Sequence, residues 1–105
     1  MIVDQSFNDQ TVTLQVGATL ELALAENPTT GYRWTISDAG APVVHLQSDN
    51  FVSGGTKPGT GGTHTFRFEI SKPGEATIQL RSQRKSAGAN MGDDFTLHIR
   101  ATVPG

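Results

Sequence analysis

Apolar and polar residues alternate along most of the chain, and runs with helical spacing are nearly absent. The segment TVTLQV (11–16) places Val12, Leu14 and Val16 on one face, and TLELALA (19–25) does the same with Leu20, Leu22 and Leu24. YRWTIS (32–37) aligns Tyr32, Trp34 and Ile36; VVHLQS (43–48) aligns Val44 and Leu46. THTFRFEI (63–70) offers Phe66, Phe68 and Ile70, and EATIQLRSQ (75–83) offers Ala76, Ile78 and Leu80. DFTLHIRATV (94–103) offers Phe95, Leu97, Ile99, Ala101 and Val103. Seven half-apolar strands in 105 residues predict an all-β fold, an antiparallel β-sandwich, with a partly closed barrel as the alternative. No repeat, low-complexity segment or composition shift divides the chain, so residues 1–105 read as one domain.

The connections fall into two kinds. Those after the first, third and fifth predicted strands are tight, with ordinary breaker residues: GA, DAGAP and SKPG. Those after the second, fourth and sixth are ENPTTG (26–31), DNFVSGGTKPGTGG (49–62) and RKSAGANMGD (84–93). If successive strands run antiparallel, these three share one end of the sandwich. Long connections in a small domain are more often functional than accidental. One end of the molecule then reads as scaffold and the other as the presenting edge.

Composition removes several function classes. The formal charge is −2 and Lys and Arg are not clustered, so there is no electrostatic footprint for nucleic acid or an anionic membrane surface. There is no cysteine, which excludes disulfides and thiol catalysis. No apolar run reaches the ~20 residues of a membrane-spanning helix. The opening residues MIVDQSFNDQ lack a signal-peptide layout. A periplasmic or secreted location follows if a leader has been removed, and a cytoplasmic one otherwise.

Candidate chemistry is sparse. His45 and His98 fall on the polar faces of their strands, whereas His64 is in phase with Phe66 and points inward or sits at the strand mouth. No pair of histidines has metal-ligand spacing, and no nucleophile elbow is present. No cofactor is expected, and a binding module is favoured over an enzyme. In NPTTG, Pro28 fixes φ and biases Asn27 toward an extended shape, and Gly31 is free to turn left-handed. The Asn27 side chain can bond nearby backbone and brace the loop, and Thr29 and Thr30 are small and hold their rotamers. Such a loop is a stiff wedge that loses little entropy on entering a groove, or simply a braced hairpin with no partner. Gly59, Thr60, Gly61 and Gly62 let backbone approach closely, whether to a neighbouring strand or to a ligand. A phosphate cradle is disfavoured, because no helix and no GK[ST] follow. Trp34 reads as core, with Tyr32 beside the first loop.

NPTTGYRW, followed about thirty residues later by GTGG and a strand, resembles the chagasin family of small immunoglobulin-like inhibitors of papain-family cysteine proteases. The resemblance spans about Thr11 to Val103 in strand order and loop placement. It implies a monomeric immunoglobulin-like sandwich that inhibits papain-like proteases of the cathepsin L type reversibly and competitively, with a three-loop wedge (27–32, 54–62, 84–92). Asn27, Pro28, Thr29, Thr30, Gly31 and Tyr32 match the loop that enters the cleft. Gly59, Thr60, Gly61 and Gly62 match the loop that lies against one wall. Arg84 opens the third, where the family shows Arg-Pro-Trp or Arg-Pro-Phe and this chain has Arg84-Lys85-Ser86. The proline stiffening and the aromatic anchor are thus missing, with Met91 the available apolar residue. The competing reading is an immunoglobulin-like adhesion or carbohydrate-binding module. It is disfavoured because most of the seven aromatics are expected inward, leaving no exposed platform.

Overall fold

Leu20, Leu22 and Leu24 have no exposed surface, and Phe68, Ile70, Ile78 and Leu97 likewise contribute none. Every one of them occupies an alternate position on a strand, so the period-two pattern translates directly into a core between two sheets. Each such side chain stabilises the fold by about 1.5–3 kcal/mol of transfer free energy. The computed structural model describes residues 1–26, 32–54, 61–84 and 94–104, the side chains of Tyr32, Gln83 and Arg84 excepted.

The strands are β1 (Ile2–Val3), β2 (Thr11–Gln15), β3 (Thr19–Glu26), β4 (Tyr32–Asp38), β5 (Val44–Ser53), β6 (Gly62–Ile70), β7 (Gly74–Arg84) and β8 (Asp94–Thr102). A short 3-10 turn, Gln5–Phe7, follows β1. One sheet has the order β1-β3-β6-β5 and the other β2-β8-β7-β4. Four of the pairings are antiparallel, but two edges carry an additional feature. β1 runs parallel to β3, and β2 runs parallel to β8. The N-terminal segment therefore crosses from one sheet to the other and covers an edge of each.

β5 is longer than the alternation indicates, and residues 49–53 are strand rather than loop. The cause is a bulge at Gln47: Leu46 pairs with Phe68, and Ser48 already pairs with the next residue, Arg67. One extra residue reverses the in/out phase. Before the bulge Val44 and Leu46 face the core; beyond it Asp49 and Phe51 occupy the core-side register, opposite Phe66 and His64. Val103 lies beyond the end of β8 and is exposed, not core.

Candidate functional site

The bases of all three unusual connections lie at one end of the sandwich. In the first sheet, Gly62 at the start of β6 is opposite both Glu26, the last residue of β3, and Ser53, the last of β5. In the second sheet, Tyr32 at the start of β4 is opposite Arg84 at the end of β7. β8 begins close by, with Asp94 opposite Arg81. The first connection bridges the two sheets, the second closes the β5–β6 hairpin and the third closes the β7–β8 hairpin.

Trp34 locks the sheets together at this end. It is 6% exposed, and its indole Nε1–H donates to the Ala25 carbonyl at 2.8 Å. Its backbone N–H donates to Oε1 of Glu26 at 2.7 Å. Glu26 continues the inward phase of Leu20, Leu22 and Leu24, so its side chain is buried where the core reaches the loop end. A buried carboxylate is costly unless paired and hydrogen-bonded. Here His64 Nδ1 lies 3.2 Å from each Glu26 oxygen. The other ring nitrogen, Nε2, lies 2.7 Å from Oδ2 of Asp49. The imidazole also stacks on Phe66, with centroids 4.2 Å apart and planes 10° from parallel. The chain Asp49–His64–Glu26–Trp34 thus runs from β5 through β6 and β3 into β4.

The glycines at the second loop answer to the hairpin itself. A Cβ on Gly62 would lie 2.2 Å from the Val52 carbonyl oxygen, 2.7 Å from the Phe51 ring and 2.9 Å from Ser53 Cα. The Gly54 N–H donates to the Gly61 carbonyl at 2.9 Å, continuing the ladder one step past the strand ends. Gly61 and Gly62 are therefore paired backbone at the root of the loop.

Of the anticipated binding residues, Asn27, Pro28, Thr29, Thr30, Gly31, Gly59 and Thr60 lie outside the described residues, as do Lys85, Ser86 and Met91. Tyr32, Gly61, Gly62 and Arg84 are placed, all at loop roots on the same end. Trp34 is core as anticipated, and His45 and His98 are exposed. The Glu26 and Asp49 partners of His64 are additional. Glu26 carries a sequence signal, being an acid in phase with three buried leucines. Asp49 carries none, because the bulge that turns it inward is not legible. Among the described residues, no group of histidine and acidic side chains has an arrangement able to hold a metal ion.

The chain is 27% identical to chagasin of Trypanosoma cruzi over 105 residues, covering 94% of this chain and 96% of that protein. Amoebiasin-1 of Entamoeba histolytica is 29% identical over 101 residues, covering 94% of this chain and 97% of its own length. In fold, the chain superimposes on the cysteine protease inhibitor EhICP2 from Entamoeba histolytica with a TM-score of 0.80 at 20% identity, covering 96% of this chain and 93% of that one. The sequence model described as "Chagasin family peptidase inhibitor I42" matches residues 13–99, the greater part of the chain, and the chain belongs to that family.

Proposed function

We propose that this chain is a reversible, competitive inhibitor of papain-like cysteine proteases, and that segments 27–32, 54–62 and 84–92 together form the edge that occupies the protease cleft. The observation that carries this reading is the convergence of all three loop roots on one end, with Glu26, Gly62 and Ser53 adjacent on one sheet and Tyr32 and Arg84 adjacent on the other. Family membership supplies the inhibitory role, and the unbroken Asn27–Tyr32 motif supplies the target class. The mechanism needs no covalent step. A protease cuts a chain that lies extended with its carbonyl aimed at the nucleophile and the oxyanion donors. A turn bounded by Pro28 and Gly31 fills the cleft without presenting that geometry.

Thr30→Arg tests the wedge. A long charged side chain at its narrow tip should raise the inhibition constant against papain at least about tenfold, because it must be accommodated in a tightly filled cleft. The circular dichroism spectrum and melting temperature should be unchanged. Unaltered inhibition would place the contact elsewhere. The third loop is tested in the opposite direction by the double variant Lys85→Pro, Ser86→Trp. An aromatic anchor on a stiffened loop should tighten binding by about tenfold or more, since buried tryptophans are frequent hot spots. Titration of papain and of a cathepsin L-type enzyme reads this out, and no tightening against either would mean that the third loop engages differently.

A further inference from the structure

The Asp49–His64–Glu26 chain has a requirement that the fold alone does not explain. Carboxylate oxygens face both nitrogens of the ring, at 3.2 Å on the Glu26 side and 2.7 Å on the Asp49 side. A neutral imidazole donates from one nitrogen only, so the other would meet a carboxylate lone pair to lone pair. The imidazolium donates from both and forms two charge-assisted hydrogen bonds. The two carboxylates differ in setting, with the Glu26 side chain 4% exposed, that of Asp49 49% and that of His64 14%. The ring is therefore shielded but reachable by solvent protons along its Asp49 side.

Position gives the arrangement a role. Glu26 is the residue from which the first loop departs, and Asp49 and His64 lie on the hairpin that carries the second. Glu26 also holds the Trp34 N–H, and so fixes where β4 begins after the first loop. Among the described residues, the polar and aromatic groups that contact the ring are Glu26 from β3, Asp49 from β5 and the Phe66 ring from β6 itself. Among the described residues, the other ion pair on those strands, Arg67 with Glu21 at 3.9 Å, is solvent-exposed.

We infer that His64 is a positioning residue for the inhibitory edge: as an imidazolium bridging Glu26 and Asp49 it fixes the spacing between the roots of the first and second loops, and loss of its ring proton loosens that spacing. The inference rests on the proposed inhibitory reading for its functional consequence and on the ring geometry alone for the tie itself. The sign follows from the proton count. The tie needs a proton on both ring nitrogens, so raising the pH can only weaken it.

The test compares wild type, His64→Gln and Asp49→Asn as inhibitors of papain from about pH 5 to about pH 8. Taking the ratio of variant to wild type at each pH cancels the protease's own titration. His64→Gln should inhibit about tenfold more weakly than wild type at the acid end, with the gap closing toward the alkaline end, since the charge-assisted bonds vanish with the proton. Asp49→Asn, at a partly exposed position that should not impair folding, is expected to show a smaller gap with the same pH trend. In parallel, ring 15N shifts of His64 in the free protein should report two protonated nitrogens in mild acid. The amide shifts of Trp34 and Gly62 should follow the ring titration in wild type and not in His64→Gln. A ratio that is flat with pH, or Trp34 and Gly62 amides indifferent to the ring, would overturn the inference. Failure of wild type to inhibit papain at any pH would sink the inhibitory reading instead, and the amide titration would still decide the tie.

Discussion

Glu26→Ala is expected to lower the stability of the folded chain by about 3 kcal/mol, near the lower end of the cost of breaking a buried ion pair. The size follows from what the carboxylate serves. It accepts the Trp34 N–H at 2.7 Å and faces His64 Nδ1 at 3.2 Å, with its own side chain 4% exposed. Removing it leaves one buried backbone donor and one side of a shielded imidazole without a partner. The lower end applies because His64 keeps Asp49 and some contact with solvent. With roughly 4 °C or more per kcal/mol for a chain of this size, the melting temperature should fall by about 10 °C or more. Glu26→Gln should cost less than half as much, because the amide oxygen still accepts the Trp34 N–H and only the charge opposite His64 is lost. Thermal denaturation followed by the fluorescence of Trp34 reads both variants. Equal losses for the two would mean that the charge, not the Trp34 contact, dominates. No loss from either would mean that the network contributes nothing at the loop end.

Gly62→Ala is expected to cost about 2 kcal/mol, in the range of overpacking a tight contact. The added methyl would meet the Val52 carbonyl oxygen at 2.2 Å and Ser53 Cα at 2.9 Å, both backbone, as well as the Phe51 ring at 2.7 Å. The ring can swing away, but the backbone of β5 can yield only by opening the ladder at its loop end. β5 is an edge strand, so the opening is local and the fold survives. The displaced hairpin carries the second loop with it, so inhibition should weaken together with stability. Gly17→Ala makes a useful contrast: nothing lies within 4 Å of its Cβ position, but φ is +94°, so its cost is backbone strain remote from the loops. Gly17→Ala should lower the melting temperature and leave papain inhibition unchanged at temperatures where the chain is folded.

Much of this molecule is written in its period-two pattern. Leu20, Leu22 and Leu24, Phe66, Phe68 and Ile70, and Phe95, Leu97 and Ile99 are buried where alternation places them, because each strand has one face on the core. The inward placement of His64 follows from the same phase. Alternation does not encode what interrupts it. The bulge at Gln47 inverts the phase of β5, so Asp49 reads as the start of a loop although it completes the pairing of His64. Strand β1 is equally illegible, since Ile2 and Val3 are too few for a pattern, and the parallel direction of β1 and β2 leaves no trace in alternation. Glu26 was within reach, being a carboxylate one step beyond three in-phase leucines. The candidate binding loops were legible by a different route. NPTTG and GTGG are marked by backbone chemistry, and the structure adds that Gly62 is constrained by its own hairpin.

The most direct test of the account is a titration of papain with the intact chain, following hydrolysis of a fluorogenic peptide and repeated at several substrate concentrations. Reversible inhibition is expected at about nanomolar concentration, in the range of standard protein–protein interfaces, with an apparent constant that rises with substrate as competition requires. A well-folded sample that leaves papain and a cathepsin L-type enzyme fully active at micromolar excess would contradict it.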